Sequence, residues 1–409
     1  MVTNSATPRE HQSSLDRALA GRAPLRVGIV CDFLEEGWPS MDLVGDMLTQ
    51  CFQTQLARDV TAIQLRPAMR QRLTRIPFIG GQRTTRNWER LLNRFVDYPK
   101  WLRQNQRAVE VFHLVDHSYA QLIAALPEKR TVVTCHDLDT FRCLLEPQRE
   151  ARPAWFRAMT KRILDGFRKA ARVITVSQST RDELLRYDLL PPERISVIAN
   201  GVHPSCTPSP DPAADVLAAG LMPDGVRDAP WLLNVGSTAP RKRLDVLLRV
   251  FAEMRKEIPD ARLVRVGGFT ETQMKLIQEL GLESAVVNLP FLERPVLAAV
   301  YRRATLLLHT AEAEGFGLPL IEAMACGCPV VASDLPVLRE VGGAAACYCR
   351  VADISAWKQT TLELLQSRLA NPSDWQLRRQ AGLSWAGRFS WLENARKTAQ
   401  IYRSVIEER

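Results

Sequence analysis

Glu314-Gly-Phe-Gly-Leu-Pro-Leu-Ile-Glu322, followed directly by Ala323-Met-Ala-Cys-Gly327, sets two glutamates around a short loop punctuated by glycine and proline. Before it runs Thr305-Leu-Leu-Leu-His-Thr310, an apolar stretch with the length of a buried strand. After it come a helical pattern, Gly327 as its stop, and a second apolar stretch, Pro329-Val-Val-Ala-Ser333. Strand, loop, helix and strand in that order predict a parallel-sheet unit. Glu314 then lies on a loop at the C-terminal end of a strand, where open α/β sheets bind ligands. Pro319 suits the first turn of a helix, and Glu322 is expected within that turn. The unpaired N–H groups of a helix start favour an anion. One carboxylate at the crevice, one near the helix start and anion-binding amides between them suit a sugar–diphosphate–ribose ligand.

The same alternation extends in both directions. Leu25 to Cys31, Val109 to Leu114, Arg130 to Cys135, Arg172 to Ser177 and Ile195 to Ile198 read as strands, with helical spacing over Met41 to Leu56 and Arg157 to Ala171. A second series begins at Trp231-Leu-Leu-Asn-Val235 and continues through Leu244 to Ile258, Ala261 to Val266, Glu271 to Gly281, Ala285 to Leu289 and Arg294 to Ala304. Strands alternating with helices imply parallel sheets with helices on both faces. Between the series, Pro204 to Pro230 is rich in proline and weakly periodic, so it reads as a linker holding at most a short helix. The expected organisation is an N-terminal tail over residues 1–24, an α/β domain over 25–203, the linker over 204–230, a second α/β domain over 231–388 and a C-terminal amphipathic helix within 389–409 that packs back on the first domain.

A chain of 409 residues is too long for one ordinary core, so two domains are the prior. No apolar stretch approaches the length of a membrane span. The polar opening, Met1 to Pro24, lacks the apolar core of a secretory signal, and a cytoplasmic location is expected. Nine scattered cysteines, with no C-x-x-C and no zinc spacing, fit reduced thiols, and no metal site is expected. The net charge of +9 is concentrated in the first half. Arg66 to Arg107 holds eleven basic residues against Glu89 and Asp97, interleaved with Phe78, Trp88, Phe95, Tyr98 and Trp101. Such a segment suits an anionic membrane surface better than nucleic acid, because no nucleic-acid reading motif accompanies it.

This set of segments resembles a family-4 retaining glycosyltransferase of the GT-B fold, two Rossmann-like domains facing across a cleft. The resemblance rests on Asn234-Val-Gly-Ser-Thr-Ala-Pro-Arg-Lys-Arg-Leu-Asp-Val-Leu-Leu248, Arg265-Val-Gly-Gly268, Leu289-Pro-Phe-Leu-Glu293, Ala299 to Ala304 and Glu314 through Gly327, with echoes in Val132 to Asp137, Val176-Ser177 and Ala199 to Val202. It is similar to the subgroup with a Pro-Arg-Lys segment, found in bacterial polysaccharide and O-antigen pathways. The resemblance implies a metal-independent transfer of a hexose from a nucleotide sugar, a GDP-mannose or a UDP-sugar, to a glycan or lipid-linked acceptor, with no further cofactor. It implies that Glu314 meets donor-sugar hydroxyls, that Gly315, Phe316, Gly317 and Leu318 offer backbone amides, and that Glu322 takes the ribose. Arg241 and Lys242 would hold the diphosphate, Gly236 and Gly267 would border it, and Phe291 and Leu292 would line the base pocket. From the first domain, His136 would face the donor sugar, with Asp137, Asp116 and Gly37 on the acceptor side.

The chain departs from that pattern twice. The loop after the first strand, Asp32-Phe-Leu-Glu-Glu-Gly-Trp-Pro-Ser40, has one glycine, Gly37, where the family often has several. Gly236-Ser237 stands where Gly-Arg is frequent, and Arg241 is expected to supply the charge. Plainer readings also apply. Glu314 and Glu322 could form a hydrolytic acid/base pair, though the anion site between them suits nucleotide binding better. His113-Leu-Val-Asp-His117 mimics a metal motif but reads as pocket lining near His136. His309 in its apolar strand reads as a satisfied core histidine. An epimerase of the same fold and an inactive scaffold are the alternative functions.

Overall fold

The computed structural model describes residues 23–76, 83–106, 108–222 and 229–408. The expected N-terminal tail through residue 22, Phe78, Arg107 and residues 223–228 of the expected linker lie outside the described residues. The chain forms two compact units. One comprises the described residues up to Thr175, with Leu184–Ile198 and residues 392–408, and the other comprises Val176–Glu183 with Ala199–Trp391.

The first unit is built on a six-stranded parallel sheet: β1 (Leu25–Val30), β2 (Val60–Leu65), β3 (Val111–Leu114), β4 (Thr131–Cys135), β5 (Arg172–Thr175) and β6 (Ile195–Val197), in the order β2-β1-β3-β4-β5-β6. β3 and β4 are buried at every residue, as strands covered by helices on both faces must be. The sequence pattern did not predict the last strand of the chain, Ala346–Cys349, nor β2. β2 pairs on one side only, with Leu25 opposite Val60, and half of its residues face water, so it lacks the apolar run of a central strand. The C-terminal helix Trp391–Glu407 brings Tyr402 into this unit, where its hydroxyl bonds His113 Nδ1 at 2.6 Å and its ring meets Phe52.

The second unit repeats the plan with β7 (Trp231–Val235), β8 (Arg262–Val266), β9 (Val286–Leu289), β10 (Leu306–His309), β11 (Val330–Ser333) and β12 (Ala346–Cys349), in the order β12-β11-β10-β7-β8-β9. The proline-rich stretch after β6 carries the helix Pro212–Gly220, started by Asp211 capping Ala214 N, and Ala214 and Ala218 are buried in this unit's core beside Val300 and Tyr301.

The strand orders locate where loops open. In the first sheet the chain runs outward from β1 to β2 and then returns to β3 on the other side of β1. In the second it runs out through β8 and β9 and returns to β10 beside β7. Loops leaving the two sides of such a switch point diverge to opposite faces and leave a crevice at the strand ends. For the second unit these are the loops after β7 and β10. For the first they are the loops after β1 and β3.

Candidate functional site

The loops after β7 and β10 are laced together. Glu312 N donates to Arg241 O at 2.8 Å, Arg241 Nη1 donates to Ala313 O at 3.1 Å, and Thr310 Oγ1 donates to the carbonyl oxygen of Lys242 or of Arg243. A short 3-10 turn, Pro240–Lys242, carries the two cations. Arg243 follows in the left-handed region at φ 48°, a conformation costly for a residue that carries a Cβ, and its guanidinium is held by Asp245 and Glu312. That turn faces Arg241 and Lys242 toward Glu314. Lys242 Nζ bonds Glu314 Oε1, His309 Nε2 lies 2.8 Å from the same oxygen, and Arg241 Nη1 lies 3.5 Å from Oε2.

The electrostatics follow from these contacts. Burial alone would raise the Glu314 carboxyl, but Lys242, the His309 hydrogen bond and Arg241 outweigh it and hold the group well below the usual carboxylate range. Burial lowers His309, and Lys242 and Arg241 add to that against the pull of Glu314. His309 is therefore neutral at physiological pH. Its Nε2 faces a carboxylate, which assigns the proton to Nε2. The expectation of a satisfied core histidine is met in its burial, yet its partner is the site carboxylate. With Asn234, Ser237, Lys242 and Thr310 it lines a small recess at the ends of β7 and β10.

Two glycines let the backbones close around this recess. A Cβ on Gly267 would stand 1.9 Å from Gly236 O, and both residues have positive φ. The carbonyls of Gly236 and Ser237 accept from Arg265 Nη2 at 2.7 and 3.0 Å. Arg265 is fully buried in the middle of β8, and burial lowers it to about 10. Sequence reading quoted Arg265 within a family-like segment but gave it no role, since β8 also holds Arg262 and composition alone does not tell the two apart.

The helix Leu318–Ala325 begins after Gly317, which adopts φ 97°, and no side chain caps its start. No acidic residue lies in its first turn, which corrects the expected place of Glu322. Glu322 is the fifth residue, buried, with Arg294 Nη1 3.2 Å from one oxygen and the Tyr301 hydroxyl 3.1 Å from the other. The helix starts at Leu318 because Gly317 supplies the left-handed turn, so the register runs one residue ahead of a count from Pro319. Burial raises the Glu322 carboxyl, and Arg294 and Tyr301 oppose that only in part. Arg294, the first residue of its own helix, was not singled out from sequence, because its partner lies 28 positions away. Phe291 and Leu292 precede that helix, the first exposed and the second packed on the core. Gly315 O accepts from Ser177 Oγ at 2.9 Å, and the Phe316 ring is buried against Phe389.

In the first unit, His136 follows β4, is buried, and places Nε2 2.7 Å from Val115 O; burial keeps it neutral. Asp116 follows β3 and accepts from Ser118 N and Oγ. Asp137 accepts from Asp139 N, with His117 Nε2 3.9 Å away. His113 does not join them. It is locked between Tyr402 and Thr134, and burial lowers it to about 3, which corrects the expectation of pocket lining. Gly37, at φ 67°, ends a short turn after β1 and leads to the uncapped start of the helix Pro39–Thr54. Asp32, missed from sequence, is buried in the same loop with neither carboxyl oxygen receiving a hydrogen bond among the described residues. Burial and then Asp116 push it well above the carboxylate range, while Asp116 is held low. Asp32 is the neutral acid and Asp116 the carboxylate of the pair.

Comparison with known proteins covers both units. Residues 226–380 match the family described as Glycosyl transferases group 1, and residues 56–205 match Glycosyltransferase Family 4. A D-inositol 3-phosphate glycosyltransferase of Segniliparus rotundus is 32% identical over 245 residues, 58% of this chain and 52% of that protein. The chain thus spans about half the length of that relative. O-antigen chain mannosyltransferase B of Escherichia coli is 28% identical over 280 residues, 67% of this chain and 70% of that protein. Among solved structures, sucrose-phosphate synthase of Thermosynechococcus elongatus superposes with a TM-score of 0.70 at 20% identity, covering 94% of this chain and 100% of that one. HepE of Anabaena, solved with UDP and glucose, superposes with a TM-score of 0.67 at 17% identity, covering 93% and 100%. Likeness at that identity is likeness of fold.

Proposed function

We propose, from the premise that the chain belongs to the family-4 glycosyltransferases of the GT-B fold, that it transfers a hexose from a nucleotide-diphosphate sugar, a GDP-mannose or a UDP-sugar, to a glycan or lipid-linked acceptor in surface polysaccharide synthesis. The observation that carries this reading is the cluster of Arg241, Lys242, Glu314 and His309 at the switch point of the second sheet, beside an uncapped helix start. Two cations and the helix amides stand where a diphosphate would gain charge as it leaves, and fixed positive groups there lower the barrier without reorganising. Arg241 suits a pair of phosphate oxygens and Lys242 a single one. Glu314 stays ionised and accepts from donor-sugar hydroxyls. His309, neutral, holds one of its oxygens. Glu322 keeps two lone-pair positions beyond those used by Arg294 and Tyr301, which matches the paired hydroxyls of a ribose.

In the proposed chemistry the acceptor hydroxyl attacks the anomeric carbon from the face that the leaving group vacates. The departing diphosphate takes the hydroxyl proton, and the configuration is retained. Charge neutralisation falls to Arg241 and Lys242, so turnover is independent of a divalent metal. The acceptor is read onto the first unit, around His136, Asp116, Asp137 and Gly37, and a lipid-linked acceptor would be met at the inner face of the cytoplasmic membrane.

Thermal-shift screening against GDP-, UDP-, ADP- and TDP-sugars identifies the donor, since a ligand of the folded state raises Tm by mass action. Incubation of the selected donor with acceptor glycans in EDTA, followed by NMR of the product, tests the chemistry. A product with unchanged anomeric configuration is expected. Loss of turnover in EDTA or an inverted linkage would refute the mechanism. A 2-epimeric sugar nucleotide as the sole product would point to an epimerase, and binding without turnover to an inactive scaffold.

A further inference from the structure

Arg265 carries a charge into the second sheet with no carboxylate to meet it. Its side chain is inaccessible to water, and burial alone lowers it, to about 10, with no charged neighbour adding to that or opposing it. Its donors go to carbonyl oxygens instead. Nη1 donates to Val266 O, and Nη2 reaches Gly236 O at 2.7 Å and Ser237 O at 3.0 Å. Nε finds no partner among the described residues. A guanidinium keeps its proton at physiological pH, and a buried charge without a counter-charge is costly to hold. The carbonyl dipoles offset part of that cost but supply no formal negative charge. The site is therefore built for an anion that the chain itself does not provide.

The carbonyl contacts also decide what the loop after β7 presents on its other side. In a trans peptide the C=O of one residue and the N–H of the next point in opposite directions. With the Gly236 and Ser237 carbonyls turned to Arg265, the N–H groups of Ser237 and Thr238 are turned away from it. Neither N–H has a partner among the described residues. Successive unpaired amides of this kind form a concave site for an anion. Ser237 lines the recess at the ends of β7 and β10 together with Lys242, His309 and Thr310. The positive φ of Gly236 and Gly267, and the missing Cβ of Gly267, let the loop lie close enough to β8 for one guanidinium nitrogen to reach both carbonyls.

The charges at these strand ends match the same ligand. Ionised Glu314 cancels one of the two charges on Arg241 and Lys242, and neutral His309 adds none. Asp245 and Glu312, whose side chains are 49% and 46% exposed, pair with Arg243 and are screened by water. A single net positive charge is left at the recess, whereas the diphosphate of a sugar nucleotide carries two negative ones. Arg265 supplies the second. We propose that Arg265 is a positioning residue for the donor's diphosphate. It holds the loop after β7 with the Ser237 and Thr238 amides open to a phosphate group, and it sets a buried positive charge behind them. That the phosphate belongs to a donor rests on the proposed function, whereas the anion site itself does not.

Calorimetric titration of the full chain with inorganic pyrophosphate, with UDP and GDP, and with uridine and guanosine tests it. Arg265→Met removes the charge and keeps most of the volume. It is expected to lose about tenfold or more in affinity for pyrophosphate and for the nucleoside diphosphate that binds the parent, while affinity for the nucleoside stays at the parent value. Arg265→Lys, which keeps the charge without the fork, is expected to recover part of the pyrophosphate affinity. Arg262→Met, which removes the other arginine of β8, is expected to bind as the parent does. Equal losses for nucleoside and diphosphate would show a merely structural arginine and overturn the proposal, as would a parent that does not bind pyrophosphate. Amide hydrogen exchange on the parent needs no variant and stands if Arg265→Met fails to fold. Pyrophosphate is expected to slow exchange at Ser237 and Thr238, and unchanged exchange there would also overturn the proposal. Pyrophosphate binding that depends on Arg265, with no binding of either nucleoside diphosphate, would keep the anion site and refute the donor reading.

Discussion

Arg294→Gln should change how nucleotide binding depends on pH. Glu322 is buried with Arg294 at 3.2 Å as its charged partner, and its carboxyl already sits above the ordinary value because burial outweighs that partner. Removing the guanidinium pushes it higher, so a larger share is protonated at neutral pH. A protonated Glu322 loses acceptor positions for two hydroxyls. Hydrogen bonds to a charged group contribute about 1.5–3 kcal/mol, so affinity for the nucleoside diphosphate should fall about 10- to 140-fold at pH 7. The sign is definite. Binding weakens as pH falls through the folded-state pKa of Glu322, and in the variant that fall begins at higher pH, so affinity should recover as pH rises. Stability has the opposite slope. A carboxyl raised in the folded state binds more protons there than when unfolded, so stability declines as pH rises from the ordinary carboxylate value through the folded one. Arg294 is the charged group facing Glu322, with the uncharged Tyr301 hydroxyl and Cys206 thiol beside it. His203 is itself lowered, by burial first and Arg294 second. Calorimetry from pH 5.5 to 9 with the ribo- and 2′-deoxyribonucleoside diphosphates is the assay. Arg294→Lys should restore most of the parent profile, and Glu322→Gln should be weak and flat with pH. A Glu322→Gln variant with parent affinity would remove the ribose role altogether. If that variant is weak while Arg294→Gln keeps the parent affinity and profile, the positioning role of Arg294 is wrong.

Lys242→Met should lower kcat about 100-fold or more while leaving the melting curve within a few degrees of the parent, because it removes one fixed cation from the leaving-group site; a loss below about fivefold would refute that role. Gly267→Ala should destabilise the second unit by about 2–4 kcal/mol in urea unfolding, since its Cβ would overlap Gly236 O and its φ is +114°; an unchanged midpoint would show that the loop yields cheaply. Tyr402→Phe should cost about 1–2 kcal/mol of stability through the lost bond to buried His113, without altering donor affinity, and a change confined to affinity would contradict the placement.

The sequence determined the strand–loop–helix–strand unit from Thr305 to Ser333 and the division into two strand series, and it pointed to Arg241, Lys242 and Glu314, which the fold brings into contact. Each of these is written locally, in runs of apolar residues, glycine and proline stops and charges beside them. The loop that carries Glu314 emerges where the motif pointed because the end of a buried strand fixes where its loop leaves the sheet. Tertiary structure decided what local pattern does not carry. β2 became a strand by pairing with β1, not by its own composition. Glu322 moved from an expected first-turn position to a buried one held by Arg294 and Tyr301, partners from another helix. Arg265 gained its purpose from two carbonyls on a neighbouring loop. The run of arginines between Arg66 and Arg107 looked uniform in sequence, and the fold divided it into charges paired inside the unit, such as Arg90 and Arg94 on buried Glu36, and exposed ones. Periodicity reports which face of an element is apolar. Which partner a buried charge meets depends on chain segments tens or hundreds of residues away, and only the packed structure brings them together.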